Sequence, residues 1–432
     1  MTVSFHLRFS DGSTLSSSAE HYKSDSSGDH LYDVGESHNG VHLFLPTGSL
    51  HQLSVDSSKE HQTEKNIQGK KIIALVREMI VEAIEKRASD IHLKPLQTVV
   101  EVRYRVDGSM QLAHRINRNH YSAIVSRIKI LGNMDIAEHR LPQDGAYHLS
   151  VNNRGVDLRI STVPTLEGES VVIRILDPKT GLRKISDIGF RFGDEQLFRR
   201  MLQQKNGLIL ITGPTGSGKS TTMYAAMDTL RERALNIISI EDPVEYRMDR
   251  VRQIEVNEVA NNTFAKNLRH ILRHDPDVIL IGEIRDQETA KIALQSAYTG
   301  HLVLSTLHTR DAPSAITRLL EMGMEPYMLK DTLIGVLSQR LVRKLCDQCH
   351  GESPDRAHCH HCNRSGFYGR TPIYELIKVN SLIREQIRDG ITADEIRATA
   401  LENGMVSMEL HATELIDQKI TTAQESNYHE PS

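Results

Sequence analysis

The chain contains no tryptophan, and aromatic residues make up only 5% of its 432 positions. Proteins that thread single-stranded nucleic acid stack bases on aromatic side chains set among basic ones. No such pattern is visible here, and the net charge is −4, so a direct nucleic-acid partner is not expected. Long apolar runs are also missing. None approaches the roughly 18 residues that a membrane-spanning helix needs, so no transmembrane segment is expected. The opening residues, Met1 to Arg8, lack a basic stretch followed by an apolar one, so no secretory signal is expected. The expected location is the cytoplasm, with any attachment to a membrane made through partners. Cysteine is scarce as well: there are four, all between positions 346 and 362. A disulfide framework would spread its cysteines along the chain, so this clustering points to a metal site.

Residues 213–220, Gly-Pro-Thr-Gly-Ser-Gly-Lys-Ser, are the most informative run. They fit the phosphate-binding pattern G-x-x-x-x-G-K-[ST]. The apolar run 207–212 before them suits a buried strand, and the run from Thr221 to Leu230 suits a helix. In that context the loop from Gly213 through Pro214, Thr215, Gly216, Ser217 and Gly218 turns backbone N–H groups toward phosphate oxygens. Lys219 reaches the β- and γ-phosphates, Ser220 is placed to hold Mg²⁺, and Thr221 opens the helix.

Three further strand ends carry chemistry. Asp277 to Glu283 is an apolar run ending in a carboxylate, where a residue beside the metal and the attacking water is expected. Ile237 to Glu245 delivers Glu241 and Asp242 to a strand's C-terminal end, the edge where open α/β sheets bind ligands. Gly300 to Thr309 brackets a strand with His301 and His308, a pattern that suits a γ-phosphate sensor. Arg269 and Arg273 share one helix face, either pairing with carboxylates in the sheet or touching phosphate. Cys346-x-x-Cys349 and Cys359-x-x-Cys362 are two knuckles nine residues apart, a spacing that suits a tetrahedral Cys₄ zinc site.

The organisation follows from composition and periodicity. Residues 1–64 are polar and rich in Ser, His and Asp, with linker-like runs at 16–18, 24–28 and 55–62 and one strand over 41–45; they are either a small docking domain or a loosely ordered arm. An amphipathic helix over 70–87, strands near 89–95, 99–106, 146–152, 156–163 and 170–176, and a helix over about 117–131 make an α+β domain spanning 65–180. From 186 onward, strands near 208–212, 236–240, 278–282 and 302–306 alternate with helices, which predicts a parallel nucleotide-binding sheet. This second domain carries the Cys₄ module at 343–370, helices over most of 376–418 and a disordered tail from Gln424 to Ser432.

Together these residues resemble a known family. Ser89-Asp-Ile-His92, Arg103-Tyr-Arg-Val-Asp-Gly108, Arg159-Ile-Ser-Thr-Val-Pro164, the phosphate loop, Ile240 to Glu245, Leu272 to Asp277, Gly282 to Asp286 and the two histidines look like the bacterial secretion ATPases. More narrowly they resemble the type II secretion and type IV pilus assembly ATPases (the GspE/PilB group), over about residues 65–420. The resemblance implies a RecA-like P-loop NTPase domain, a smaller α+β (PAS-like) N-terminal domain and a small zinc-binding insertion. It implies ATP, Mg²⁺ and Zn²⁺ as ligands, a homo-hexameric ring, and an inner-membrane platform or docking protein as partner. It makes Glu241 and Glu283 catalytic glutamates, His301 and His308 the His-box, and Arg159 and Arg174 the arginines that reach phosphate. The cysteine cluster favours an assembly motor over a retraction motor, with retraction, DNA uptake or another nucleic-acid motor as the alternatives. The gap between the knuckles is shorter than the common pattern, and the first 64 residues are short for the family's docking domain.

Overall fold

The computed structural model describes residues 3–9, 14–19, 21–25, 28–32, 42–46, 50–55, 60–257, 260–351 and 355–427. The chain divides into two compact units, residues 1–79 with 119–128, and residues 80–118 with 129–432.

The first unit begins with six strands: β1 (Val3–Phe9), β2 (Thr14–Ala19), β3 (His21–Asp25), β4 (Gly28–Tyr32), β5 (His42–Pro46) and β6 (Leu50–Val55). They form two antiparallel three-stranded sheets, ordered β2-β1-β6 and β3-β4-β5. The single strand expected at 41–45 is β5. The serine run 16–18 is not a linker, because it pairs with β1 in the register Phe5 to Ser17. The alternation Val3-Ser-Phe-His-Leu carries the strand signal beneath a polar composition. Positions 56–59 of the expected linker lie outside the described residues. The following helix starts at Glu60, ten residues earlier than its apolar stripe over 70–87 predicts, and ends at Glu85.

The second unit holds two sheets, so the boundary expected between 180 and 186 falls within it, in a stretch of short helical turns at Pro178–Gly181 and Ile185–Asp187. The first sheet contains β7 (Ala88–Pro95), β8 (Val99–Val106), β9 (Ser109–Asn117), β10 (Gln143–Val151), β11 (Arg154–Thr165) and β12 (Gly168–Leu176). Its order is β10-β11-β12-β7-β8-β9, with every pair antiparallel. Along β8 the residues alternate between buried and half-buried, as a sheet with one covered face requires.

The second sheet contains β13 (Gly207–Thr212), β14 (Ile237–Glu241), β15 (Val251–Glu255), β16 (Val278–Ile281), β17 (Leu302–Leu307), β18 (Leu333–Leu345) and β19 (Phe367–Lys378), ordered β15-β14-β16-β17-β13-β18-β19. All pairs are parallel except β18 with β19. Strands β13, β14, β16 and β17 are buried at every residue. That explains their mostly apolar runs and why these four strands are legible in the sequence. The other three were not legible. β15 is an edge strand with three charged or amide residues in five, and β18 carries Ser338, Gln339 and Arg340 in its middle.

At the C-terminal end, β19 occupies the residues up to 378, so the helices begin at Ser381 and run over 381–386, 393–402 and 408–417. The tail expected to be disordered forms a helical turn, Ala423–Asn427; residues 428–432 lie outside the described part. The physical reason is Glu425, which is buried and accepts from Arg343 Nε at 2.8 Å and Nη2 at 2.5 Å. Removing one partner of a half-buried charged pair costs about 1–3 kcal/mol. Glu425→Ala should therefore lower stability by about that amount in a denaturant titration, and an unchanged midpoint would show that the turn does not hold β18.

Candidate functional site

The loop Gly213–Gly218 leaves the C-terminal end of β13 and feeds the helix Lys219–Leu230. Two of its glycines are obligatory. Gly213 sits at φ 138°, and a Cβ there would lie 2.3 Å from the Gln339 carbonyl oxygen; Gly218, at φ 91°, caps the helix. The loop is braced from β18 by Gln339, which is buried, donates to the Ser217 carbonyl at 2.9 Å and accepts from Thr222 Oγ1 at 2.9 Å. Gln339 was not singled out from the sequence, because nothing local marks it.

Lys219 Nζ donates to the carbonyls of Gly213 at 2.8 Å and Pro214 at 3.0 Å. Burial pulls its ammonium down to about 8, opposed by the nearby Glu283 carboxylate. The loop lines a cleft of about 620 Å³ whose walls include Ser89, Arg174, Glu241, Glu245, Glu283 and His308.

The carboxylates differ from one another. Glu283, just beyond β16, pairs with Arg285 and lies 3.4 Å from His308 Nε2; Arg285 also meets Asp242 at 3.2 Å. Asp286 is a helix cap, accepting from the Thr289 N–H at 2.8 Å. Glu241, expected to face the reacting water, is instead 5% exposed. Its carboxylate is taken up by the hydroxyls of Tyr224 and Ser239 and the Gln253 amide. The carboxylate that faces the loop is Glu245, whose Oε1 accepts from Ser220 Oγ at 3.4 Å. Burial pushes Glu245 above the usual carboxylate range, with Ser220, Arg159 and Arg174 opposing. Glu245 lies in the turn after β14 rather than on the strand, so no periodicity in the sequence marks it.

The two arginines are register partners on β11 and β12. Arg159 Nη2 donates to the Val244 carbonyl at 2.5 Å, whereas Arg174 lines the cleft with its Nε held by Asp90 at 3.3 Å. The histidines separate. His308 follows β17 and reaches the cleft. His301 precedes β17, at the edge where Leu302 pairs with Gly207, and its ring contacts the Ser296 carbonyl at 2.9 Å. A six-residue strand spans about 17–20 Å, so the structure does not bring His301 to the phosphate loop. Arg269 pairs with Glu288 on the next helix, not with a carboxylate of the sheet, and Arg273 turns back to the Arg269 carbonyl and His270.

The four cysteines converge as predicted. All four are buried and their sulfurs lie within 4.8 Å of one another, with Cys346 to Cys359 at 3.8 Å and Cys349 to Cys362 at 3.6 Å. A tetrahedral cation with bonds of about 2.3 Å needs sulfur separations of about 3.8 Å, so this donor set fits one metal ion. The Gly366 N–H points at Cys362 Sγ from 3.3 Å, the contact expected around a ligating thiolate.

A parallel sheet with β17 between the phosphate-loop strand and the Glu283 strand, a P-loop and two carboxylates at the strand ends together define a RecA-like P-loop nucleotide-binding protein. The family model described as type II/IV secretion system protein matches residues 65–428, and the chain belongs to that family of secretion ATPases. It is 46% identical over 360 residues to the type II secretion system protein HxcR of Pseudomonas aeruginosa, covering 83% of this chain and 77% of that one. It is 44% identical over 338 residues to the type II secretion system ATPase E of Vibrio cholerae, covering 73% and 67%. Among solved structures, the pilus retraction motor PilT with bound ADP matches with a TM-score of 0.59 and 29% identity, over 82% of this chain and 96% of that one. The ATPase DotB of Legionella pneumophila shares the fold, with a TM-score of 0.65 and 19% identity over 82% and 95%. The expected family and fold class are borne out. No helix among the described residues is long and apolar enough to cross a membrane.

Lys219 gives a pH prediction. A bound polyphosphate restores the lysine's charge, so nucleotide binding near pH 8.5 should take up protons and near pH 6.5 should not. Calorimetry in buffers of different ionisation enthalpy reads this directly. Equal heats in all buffers at pH 8.5 would mean that Lys219 is fully charged beforehand.

Proposed function

We propose that the protein hydrolyses ATP in the cleft at Gly213–Thr221 and works as a homo-hexameric motor of a type II secretion machine. It would act on the cytoplasmic face of the inner membrane, through a platform or docking protein of that machine. The observation that carries this reading is the meeting of Lys219, Ser220, Glu283, Glu245 and Arg174 around one cleft, in a chain with type II secretion relatives at 42–46% identity. The arrangement into a variable segment (1–64), an N-domain (65–180) and an ATPase domain (186–432) belongs to the same proposal.

The roles follow from position. Lys219 and the loop N–H groups hold the β- and γ-phosphates. Ser220, with Glu245 beside it, would hold Mg²⁺, which would supply positive charge against the phosphates. Glu283 orients the attacking water, and His308, 3.4 Å from it, senses the γ-phosphate. Arg174 offsets charge that develops in the transition state, a contribution of about 10³–10⁵-fold for arginine fingers. Arg159 holds the turn at Val244. The Cys₄ cluster holds Zn²⁺, the metal that four buried thiolates select.

A retraction motor is the second reading, supported by the likeness to PilT at 29% identity. The type II relatives are closer in sequence, and the complete Cys₄ cluster favours assembly.

Lys219→Ala should abolish turnover, whereas Glu283→Gln should bind ATP and hydrolyse it about 10²-fold or more slowly. Normal hydrolysis by the lysine variant would remove the site assignment. Measured against protein concentration, the rate should climb as a hexamer peak forms in light scattering. A constant rate from a monomer would remove the ring. Zinc should co-purify at about one ion per chain, as a single Cys₄ site requires, and be lost in Cys362→Ser. A stable, metal-free protein would remove the zinc assignment.

A further inference from the structure

We propose that Tyr224 and Glu241 are positioning residues for hydrolysis: the Tyr224 hydroxyl, anchored on the buried Glu241 carboxylate, fixes the backbone of the 242–248 turn and so aims Glu245 at Ser220. This rests on the reading of the cleft as a Mg·ATP site.

Tyr224 lies on the helix that follows the phosphate loop, one turn beyond Ser220. Its hydroxyl has one proton and two lone pairs, and all three are used. It donates to Glu241 Oε2, and it accepts the N–H groups of Glu245 and Tyr246, each at 3.1 Å. Glu241 is held in turn. Its Oε1 accepts from Ser239 Oγ at 2.6 Å and from Gln253 Nε2 at 3.1 Å. Gln253 then reaches the far side of the turn, donating to the Tyr246 carbonyl at 2.9 Å and accepting the Met248 N–H at 2.8 Å. The turn thus hangs from a side-chain network of the buried Tyr224, Glu241 and Ser239 and the half-buried Gln253, rather than from a strand ladder.

The consequence concerns one residue. Glu245 has its N–H on the Tyr224 hydroxyl and its carboxylate 3.4 Å from Ser220. One helix therefore carries both Ser220 and the hydroxyl that locates its carboxylate neighbour. The Tyr224 ring packs edge-on against Tyr246, with centroids 5.4 Å apart, so removing the hydroxyl alone leaves the packing in place. What is lost is the register of Glu245 relative to Ser220, and misplacement of about 1 Å in a reacting assembly costs about 10²-fold.

The test compares wild type, Tyr224→Phe, Glu245→Gln and the double variant in steady-state ATP hydrolysis, titrating ATP and Mg²⁺ separately, with thermal melts alongside. Tyr224→Phe should lower kcat about 10- to 100-fold and raise the half-saturating Mg²⁺ several-fold. It should change KM for ATP by no more than about 2-fold, since the phosphate loop is untouched. In the Glu245→Gln background it should add less than about 2-fold, because both changes remove one assembly. Full kcat in Tyr224→Phe, or losses that multiply in the double variant, would overturn the inference. Should Tyr224→Phe melt below the assay temperature, Glu241→Gln, which keeps the side chain's size but replaces one of its two acceptor oxygens with a donor, is read by the same criteria. A wild-type protein that does not hydrolyse Mg·ATP would remove the proposed function and this inference together. An active wild type with an unaffected Tyr224→Phe removes the inference alone.

Discussion

A carboxylate cannot be buried without partners, and the cleft is built around one that is. Glu241 is 5% exposed at the end of β14. Leaving an ionised carboxylate unbonded there would cost several kcal/mol, so three donors converge on it. Those donors come from three different elements: Ser239 from β14 itself, Gln253 from β15 and Tyr224 from the phosphate-loop helix. Satisfying the charge therefore ties the sheet edge to the helix that opens the phosphate site. Burial and the adjacent Glu241 charge keep the Tyr224 hydroxyl protonated far above neutrality, so it remains a donor to that carboxylate throughout the working pH range. The Asp242 to Met248 turn takes its shape from the same network, and with it the side of the cleft on which Glu245 lies.

The same logic governs the phosphate loop. A loop with left-handed glycines at 213, 216 and 218 has little side-chain packing of its own, and its backbone groups must be kept open toward a ligand. The support comes from outside, through Gln339 of β18, which satisfies the Ser217 carbonyl and meets Thr222 on the helix. Gln339 is buried, and Gln253 on β15 is half-buried; both amides have their oxygen and nitrogen engaged. A rigid loop of this kind has paid its ordering entropy before phosphate arrives, which is how preorganised sites bind charge without rearrangement.

How much was legible in the sequence follows from what each element buries. The four central strands announce themselves because parallel strands covered on both faces are mostly apolar, and the P-loop does so through the glycines its backbone requires at 213 and 218. The Cys₄ module was legible from spacing alone, since no other chemistry explains two facing knuckles. The strands β15, β18 and β19 were not, because edge position and antiparallel pairing permit polar residues such as Gln253, Ser338 and Arg343. Local sequence could name Glu241, Asp242 and Glu245 as a group but could not rank them. Burial decides that ranking, and it depends on Tyr224 seventeen positions away and on Gln253 beyond the turn. His301 and His308 illustrate the same limit: six strand residues lie between them, and in a parallel sheet that separation puts them at opposite edges. Glu425 shows it again at the chain's end, where a polar tail becomes a helical turn because one buried carboxylate answers Arg343 eighty-two positions earlier.

The six-stranded sheet meets the seven-stranded one beside the cleft and beside the cysteine cluster, and these two contacts differ in kind. At the cleft, Arg159 donates to the Val244 carbonyl, a single bond on the turn that carries Glu245. At the metal module, Asp107 accepts from the Gly369 N–H at 2.9 Å and from Arg87 at 3.1 Å, while Arg87 lies over the Tyr368 ring at 3.6 Å and His361 stacks on that ring at 3.8 Å. His361 sits between Cys359 and Cys362, so the stack is continuous with the cysteine knuckle. A planar guanidinium on an aromatic face contributes about 0.5–2 kcal/mol, and Asp107 holds Arg87 in place for it from the same side. The Arg159 bond is a part-buried one from a charged donor, worth about 1.5–3 kcal/mol, so the two contacts are comparable in strength. The four sulfurs lie outside the cleft, yet the stack of His361 on Tyr368 and of Tyr368 on Arg87 sets the cysteine knuckle directly against the six-stranded sheet that carries Arg159 and Arg174.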